Sequence, residues 1–275
     1  MCGGDGSVDD RTAKDRAAQD SGPGSAGVAD AGAPAPAADP GLLADLVVAN
    51  RILFDQGVVD AFGHVSVRHD KDPARFLLAR SMAPALVTEA DIVEHRLDGT
   101  PVDAAGRAVY LERFIHGAVY RARPDVQAVV HSHAPAVIPF GAVAGAPLRP
   151  LWHMCGFLAR GAPVFEIREA AGEASDLLIR SQALGDALAG SLGTADVVLM
   201  RGHGATLVGP SLRHAVYRAV YTQMNATLQL QAMQLGATSG GDVTFLTEAE
   251  GLAADEANSG QLERAWKLWK SAVGA

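Results

Sequence analysis

The chain has 275 residues, two cysteines and a formal net charge of −8, a length that suits one large folded unit with a well-filled core. The negative balance and the absence of any Lys/Arg block argue against nucleic acid or an anionic membrane as a partner, and leave a small ligand. Cys2 and Cys155 cannot build a disulfide framework, and neither an export-type N-terminus nor an apolar run of about 18 residues is present, so the expected location is a reducing cytoplasm.

Residues 1–40 are built from Gly, Ala, Asp, Ser and Pro with almost no large apolar side chain. Such a stretch cannot bury enough surface to offset its ordering entropy, so a disordered tail is expected ahead of a single domain over residues 41–275. From Gly41, Leu42, Leu43, Leu46, Val47, Ile52 and Leu53 recur at near-helical spacing and Gly57 supplies a stop. Gly63 to Arg68 alternates in type and predicts a short strand, with Phe76 to Arg80 as its hairpin partner. Thr88 and Asp91 form a helix-start signature, and Asp98-Gly99 a tight turn. Tyr110 to Arg123 predicts a helix ended by Pro124, with Leu111, Ile115, Ala118 and Val119 on its apolar stripe and Glu112 and His116 on one face. Strands are expected at Val126 to His131 and Pro163 to Ile167, with a helical turn at Val137 to Phe140 between them. A helix from Ser181 to Leu192 precedes two strands within Val197 to Val208. Ser211 then caps a long helix to Leu235, with Leu212, Ala215, Val216, Ala219 and Val220 facing inward. Helices at both ends and strands between them predict a layered α/β protein with a mixed, largely antiparallel sheet.

The stretch Val129-Val130-His131-Ser132-His133-Ala134-Pro135 organises the chemistry. In an extended strand, histidines at i and i+2 point to the same side while Ser132 faces away. Arg201-Gly202-His203-Gly204 follows the apolar run Val197 to Met200, so a third imidazole stands at a strand end in a turn. Three imidazoles with an open position form a usual holder for a catalytic divalent metal, and the competing reading is a set of satisfied strand-end histidines. Glu112 begins a helix that leads back along the histidine strand, so it can lie beside the metal as an acid or base; alternatively it pairs with Arg113 or Arg80 at the surface. His69, His95 and His214 read as surface or helix-face residues.

Glu112 nineteen positions before His131, the His131-Ser132-His133 pair, the Arg201-Gly202-His203-Gly204 turn and Gly63-His64-Val65-Ser66-Val67-Arg68 together resemble the class II aldolase/adducin family from about residue 40 to 235. The resemblance implies an α/β/α layered fold, commonly a cyclic tetramer with sites between subunits. It also implies one divalent metal ion per subunit held by His131, His133 and His203, with Glu112 as acid/base of carbon–carbon cleavage. Zinc, manganese, iron and cobalt are not distinguished by imidazoles alone. The sugar-phosphate members carry an asparagine at the position of His64, a Thr-Pro-Ser-Gly-like stretch at Ala79 to Pro84, and a serine pair at Tyr110-Leu111. The small donors that would cradle a phosphate are thus missing. His64, Arg68 and Arg80 stand instead, and a guanidinium suits a carboxylate. Ser66, Ser81 and Tyr217 join them as candidate substrate contacts.

Tyr110-Leu111-Glu112-Arg113-Phe114-Ile115-His116 with Ala79-Arg80-Ser81 and Trp152-His153-Met154 is similar to the branch that decarboxylates hydroxylated aromatic dicarboxylates and carboxylated ring-cleavage products. A cation chelated by a phenolate or carbonyl oxygen and a neighbouring carboxylate accepts the electrons left by carbon dioxide as an enolate-like species. Protonation then falls to Glu112, His116 or His153. The expected function is therefore a metal-dependent decarboxylase on a hydroxy-aromatic or oxo-dienoate carboxylate. The alternatives are a retro-aldol lyase on an unphosphorylated hydroxy-oxo acid, an iron-dependent oxygenase of the same fold, and a non-catalytic adducin-like interaction module.

Overall fold

A computed structural model describes Met1 and residues 36–275. Of the tail expected over residues 1–40, residues 2–35 lie outside the described residues, and Pro40 already belongs to the first helix. Helix α1 (Pro40–Asp55) starts where Asp39 accepts from the Gly41 and Leu42 amides and proline takes the first helical position, satisfying donors that a helix start leaves free. Strands β1 (His64–Arg68) and β2 (Arg75–Ala79) form the expected antiparallel hairpin. The Thr88 and Asp91 capping box closes a single tight turn before β3 (Ile92–Arg96).

Helix α2 (Arg113–Ala122), strand β4 (Ala128–Ser132) and helix α3 (Ile138–Ala142) follow. Next come β5 (Val164–Phe165), α4 (Arg168–Ala171), α5 (Gln182–Leu192), β6 (Val197–Met200), β7 (Gly204–Gly209) and α6 (Leu212–Ser239). The chain ends in α7 (Glu248–Ser259) and α8 (Leu262–Ala272). The seven strands form one sheet in the order β3-β2-β1-β4-β7-β6-β5. Every neighbouring pair is antiparallel except β5 with β6 at the edge, so the sheet is mixed and largely antiparallel as expected.

Side-chain alternation assigns the layers. Ser66 on β1 bonds to His116 and Tyr120 of α2, and β1 pairs Ser66 with Val129 and His64 with His131. The even positions of β1 and the odd positions of β4 therefore face α2, which packs on α5. Ser132, on the other face, donates to the carbonyl of Val58 just beyond α1, and α1 packs with α6 there. Helices thus cover both faces. Among the described residues, no helix is long and apolar enough to cross a membrane.

Several expectations are corrected. The helix expected from Tyr110 begins at Arg113, and Leu111 is 55% exposed rather than part of an apolar stripe. Helix α6 runs four residues past Leu235 to Ser239. Helices α7 and α8 were not anticipated; Thr247 and Glu250 form a capping box for the first, and Leu262, Trp266 and Trp269 bury one face of the second. His69 and His95 are buried at 3% and 0% exposure rather than at the surface: His69, just past β1, accepts from the Lys71 amide, and His95 on the edge strand β3 turns inward onto Phe76.

His95 stacks on Phe76 with ring centroids 5.1 Å apart. Burial brings its imidazole down to about 4, against a smaller upward pull from its bond to the Val93 carbonyl. Unfolding frees it to take a proton between that value and about 6.5, so its contribution is fully present above pH 6.5 and is lost as pH falls through the window. Melting curves are expected to hold steady above pH 7 and to drop between pH 6.5 and 4, with one proton adding about 1.4 kcal/mol per pH unit. In His95→Gln the drop is expected to be shallower.

A Cβ at Gly156 would stand 2.2 Å from the Gly251 carbonyl oxygen of α7. Gly156→Ala is therefore expected to push α7 away and cost about 1–3 kcal/mol in denaturant unfolding.

Candidate metal centre

The register of β4 against its two neighbours brings the imidazoles together. His131 is the last residue of β4 on the α2 face, and His133 follows two positions later just beyond the strand. Gly204 opens β7 one residue before Ala205, the partner of Ser132, and a Cβ on it would stand 2.0 Å from the Ser132 carbonyl oxygen, so only glycine lets the two backbones approach this closely. His203, one residue before it, then meets the pair. His131 Nε2 lies 2.9 Å from His133 Nε2, which lies 3.0 Å from His203 Nε2.

Glu112 completes the cluster from the N-terminal cap position of α2, where its side chain makes no capping bond to the helix. Oε2 stands 3.5 Å from both His131 Nε2 and His203 Nε2, while Oε1 accepts from the Ile179 amide at 2.9 Å. One ligand atom from each of the four residues lies within 4.8 Å of every other. Burial alone would raise the Glu112 carboxyl, but the facing imidazoles of His131 and His203 outweigh it and hold the group far below the usual carboxylate range. The alternative of a surface ion pair with Arg113 or Arg80 does not occur: Arg113 bonds to the carbonyls of Gly99 and Tyr110, and Arg80 to Asp91.

The donor set suits a cation. His203 Nδ1 donates to the Leu177 carbonyl at 3.0 Å, so its Nε2 carries a lone pair toward the other two rings. Burial first, and then the imidazoles of His131 and His203, bring His133 down to about 4, which leaves it uncharged at neutral pH. Three imidazoles and a carboxylate thus converge with no lysine or arginine among them, an arrangement that a divalent metal satisfies.

Leu177 itself sits at φ +69°, a left-handed conformation that costs a non-glycine residue about 1 kcal/mol or more. The strain lies where one short segment holds both partners, the Leu177 carbonyl on His203 and the Ile179 amide on Glu112. No local sequence signal marks this segment.

Beside the cluster lies a cavity of about 410 Å³, bordered by His64, Ser81, Glu112 and His133 and walled by apolar side chains such as Met82 and Tyr110. The Tyr110 hydroxyl donates to the Met82 carbonyl, and its ring lies 4.4 Å from that of His64. Tyr110 was legible only as part of a motif, with no role of its own.

Of the other candidate residues, His64 and Ser81 reach the cavity and the rest do not. Arg68 is buried and spends its guanidinium on the carbonyls of Pro73, Tyr120, Arg123 and Val126, so it ties loops together instead of gripping substrate. Ser66 and His116 are wholly buried behind His64, and His116 therefore cannot touch a substrate. Arg80 stays at the margin, its Nε 2.6 Å from Asp91 Oδ1. His153 and Tyr217 line a separate cavity of about 470 Å³, and Tyr217 donates to the Met154 carbonyl, so neither reaches the metal cluster of its own chain.

Residues 44–230 match the family described as Class II Aldolase and Adducin N-terminal domain. The chain is 42% identical over 236 residues to Decarboxylase tropJ of Talaromyces stipitatus, spanning 79% of this chain and 88% of that protein. It is 34% identical to the 3,4-dihydroxyphthalate decarboxylase of a Terrabacter species, over 73% of this chain and 83% of that one. Among solved structures, L-fuculose 1-phosphate aldolase from Glaciozyma antarctica PI12 superposes with a TM-score of 0.67 at 23% identity, covering 85% of this chain and 90% of its own. An aldolase II superfamily protein from Pseudomonas syringae gives 0.69 at 21% identity, over 86% and 94%. With its sheet order, its imidazole cluster and a match across most of its length, this chain belongs to the class II aldolase and adducin family as an enzyme of the lyase type.

Proposed function

We propose that the protein is a metal-dependent decarboxylase acting on a hydroxylated aromatic or oxo-dienoate carboxylate. One observation carries this reading: the imidazole and carboxylate cluster opens onto a cavity walled mainly by Phe62, Met82, Tyr110 and Leu178. Apolar walls with two aromatic rings among them suit a planar conjugated substrate, whereas a sugar phosphate needs a cradle of hydroxyl and amide donors. The decarboxylase names of the two relatives above support the same reaction class. A cytoplasmic location and a homotetramer belong to this reading. Phe62 and Leu111, 67% and 55% exposed at the cavity, are apolar surfaces that a neighbouring subunit would cover.

His131, His133 and His203 would hold the metal, with Glu112 close enough to join them. A divalent cation there supplies a Lewis acid that draws electrons from the substrate as the carbon–carbon bond breaks. The proton work belongs to Glu112. Ionised at the start, Oε2 takes the proton of the substrate hydroxyl or enol, whose acidity a bound cation would raise to meet so weak a base. Oε2 returns that proton to the carboxyl-bearing carbon, whose bond to the carboxylate then breaks, so that carbon dioxide departs and the bonding pair restores the phenolate or enolate. One carboxylate becomes carbon dioxide and one C–H bond forms, with Glu112 ionised again. The Ile179 amide holds Oε1 throughout, keeping Oε2 turned to the cluster. Ser81 and His64 are the polar contacts offered to the substrate's anionic oxygens.

Purified protein given a panel of ortho-hydroxy aromatic dicarboxylates is expected to release carbon dioxide with a single aromatic product. Formation of an aldehyde with an oxo acid, or oxygen uptake dependent on ferrous iron, would overturn the reading. Glu112→Gln is expected to lower kcat about 100-fold or more, with KM little changed. Chelation followed by dialysis is expected to abolish turnover and metal addition to restore it, whereas in His133→Ala added metal restores none.

A further inference from the structure

Behind the cavity runs a line of hydrogen bonds that no step above uses. His64 Nδ1 and His116 Nε2 are 2.6 Å apart, His116 Nδ1 and Ser66 Oγ 2.7 Å, and Ser66 Oγ and the Tyr120 hydroxyl 2.8 Å. All four side chains are at most 3% exposed. The line starts at Tyr120 in the core under α2 and ends at His64, whose ring borders the cavity.

Counting hydrogens gives the line a direction. Tyr120 carries one hydroxyl hydrogen, and Ser66 Oγ is the one acceptor it meets among the described residues. A buried hydroxyl hydrogen without an acceptor loses its hydration and gains nothing in return, so Tyr120 donates to Ser66. The single Ser66 hydrogen then goes to Nδ1 of His116. That ring keeps its hydrogen on Nε2 and donates it to Nδ1 of His64. His64 is left with its own hydrogen on Nε2, the nitrogen that has no protein partner among the described residues. The opposite order strands the Tyr120 hydrogen in the core.

We propose that Tyr120, Ser66 and His116 are positioning residues that lock His64 in the tautomer with its hydrogen on Nε2, making it a fixed N–H donor to an anionic oxygen of the substrate. The identity of that acceptor rests on the carboxylate reading above, whereas the tautomer does not. Burial pushes the Tyr120 phenol up, so the line orients a hydrogen and does not deliver one. The rings of Tyr110 and His131, with centroids 4.4 and 5.0 Å from that of His64, hold its plane. A substrate group that presents its own hydrogen to this corner meets donor against donor, which makes the line a filter for carboxylate or phenolate oxygen.

The test uses the zinc-loaded full-length protein with isotope-labelled histidine rings, His64 being assigned by its loss in His64→Gln. Proton–nitrogen correlation spectra are expected to show the His64 hydrogen on Nε2 and a bare Nδ1. Tyr120→Phe removes the first hydrogen of the line and Ser66→Ala cuts its middle. Both are expected to give a mixed tautomer and to weaken salicylate binding about ten-fold, with bound zinc unchanged. A wild-type His64 with its hydrogen on Nδ1, or an unaltered tautomer in both variants, overturns the proposal. Should salicylate not bind while the wild-type tautomer and its loss in the variants are as stated, the carboxylate reading falls and the hydrogen-bond line stands.

Discussion

The pairing of β4 with β1 on one side and β7 on the other is the constraint on which the site depends. It sets His64 beside His131 and Ser132 beside Ala205, so residues distant in sequence meet at one corner. A slip of one residue would turn His131 toward the α1 layer and leave His203 without company. The absence of a side chain at Gly204 is what permits the approach, and the strained segment around Leu177 then fixes the outer nitrogen of His203 and one oxygen of Glu112. Rings, carboxylate and backbone supports thus hold one another at a point reached from four separate stretches of chain.

The layer between α2 and the sheet is unusual for a core in being polar. His64, Ser66 and Arg68 occupy one face of β1 while Val65 and Val67 fill the other, and all five are buried. Buried polar groups persist where each finds a partner, and here the partners differ in kind. Arg68 takes backbone carbonyls, Ser66 takes a ring and a phenol, and His64 takes a ring and keeps one nitrogen for the cavity. One strand therefore serves both as scaffold and as the rear wall of the site.

That arrangement explains what could be read from sequence and what could not. The histidine strand, the hairpin, the long capped helix and the turn holding His203 were legible because alternation, caps and glycines act locally. The meeting of the three imidazoles followed from the same cues. Arg68 was misread because its ends lie on carbonyls of residues 73 and 120–126, which no neighbouring residue announces. His153 was assigned to the site by similarity of motif and Tyr217 by its place on the long helix facing a neighbouring site; within this chain both line another cavity. Helices α7 and α8 escaped notice because the stretch is rich in Ala, Glu and Asp. The spacing of Leu262, Trp266 and Trp269 was the one apolar signal for α8.

Glu112 occupies the place where a helix usually recruits a side chain to cap itself, and it does not do so. Its buried carboxylate is turned to the imidazole cluster, so α2 owes little of its stability to the identity of this residue. The scaffold therefore ties this carboxylate to the Leu177–Ile179 segment and not to the helix that carries it. A change of residue there loosens the loop that also orients His203, while the helix keeps its own reasons to form.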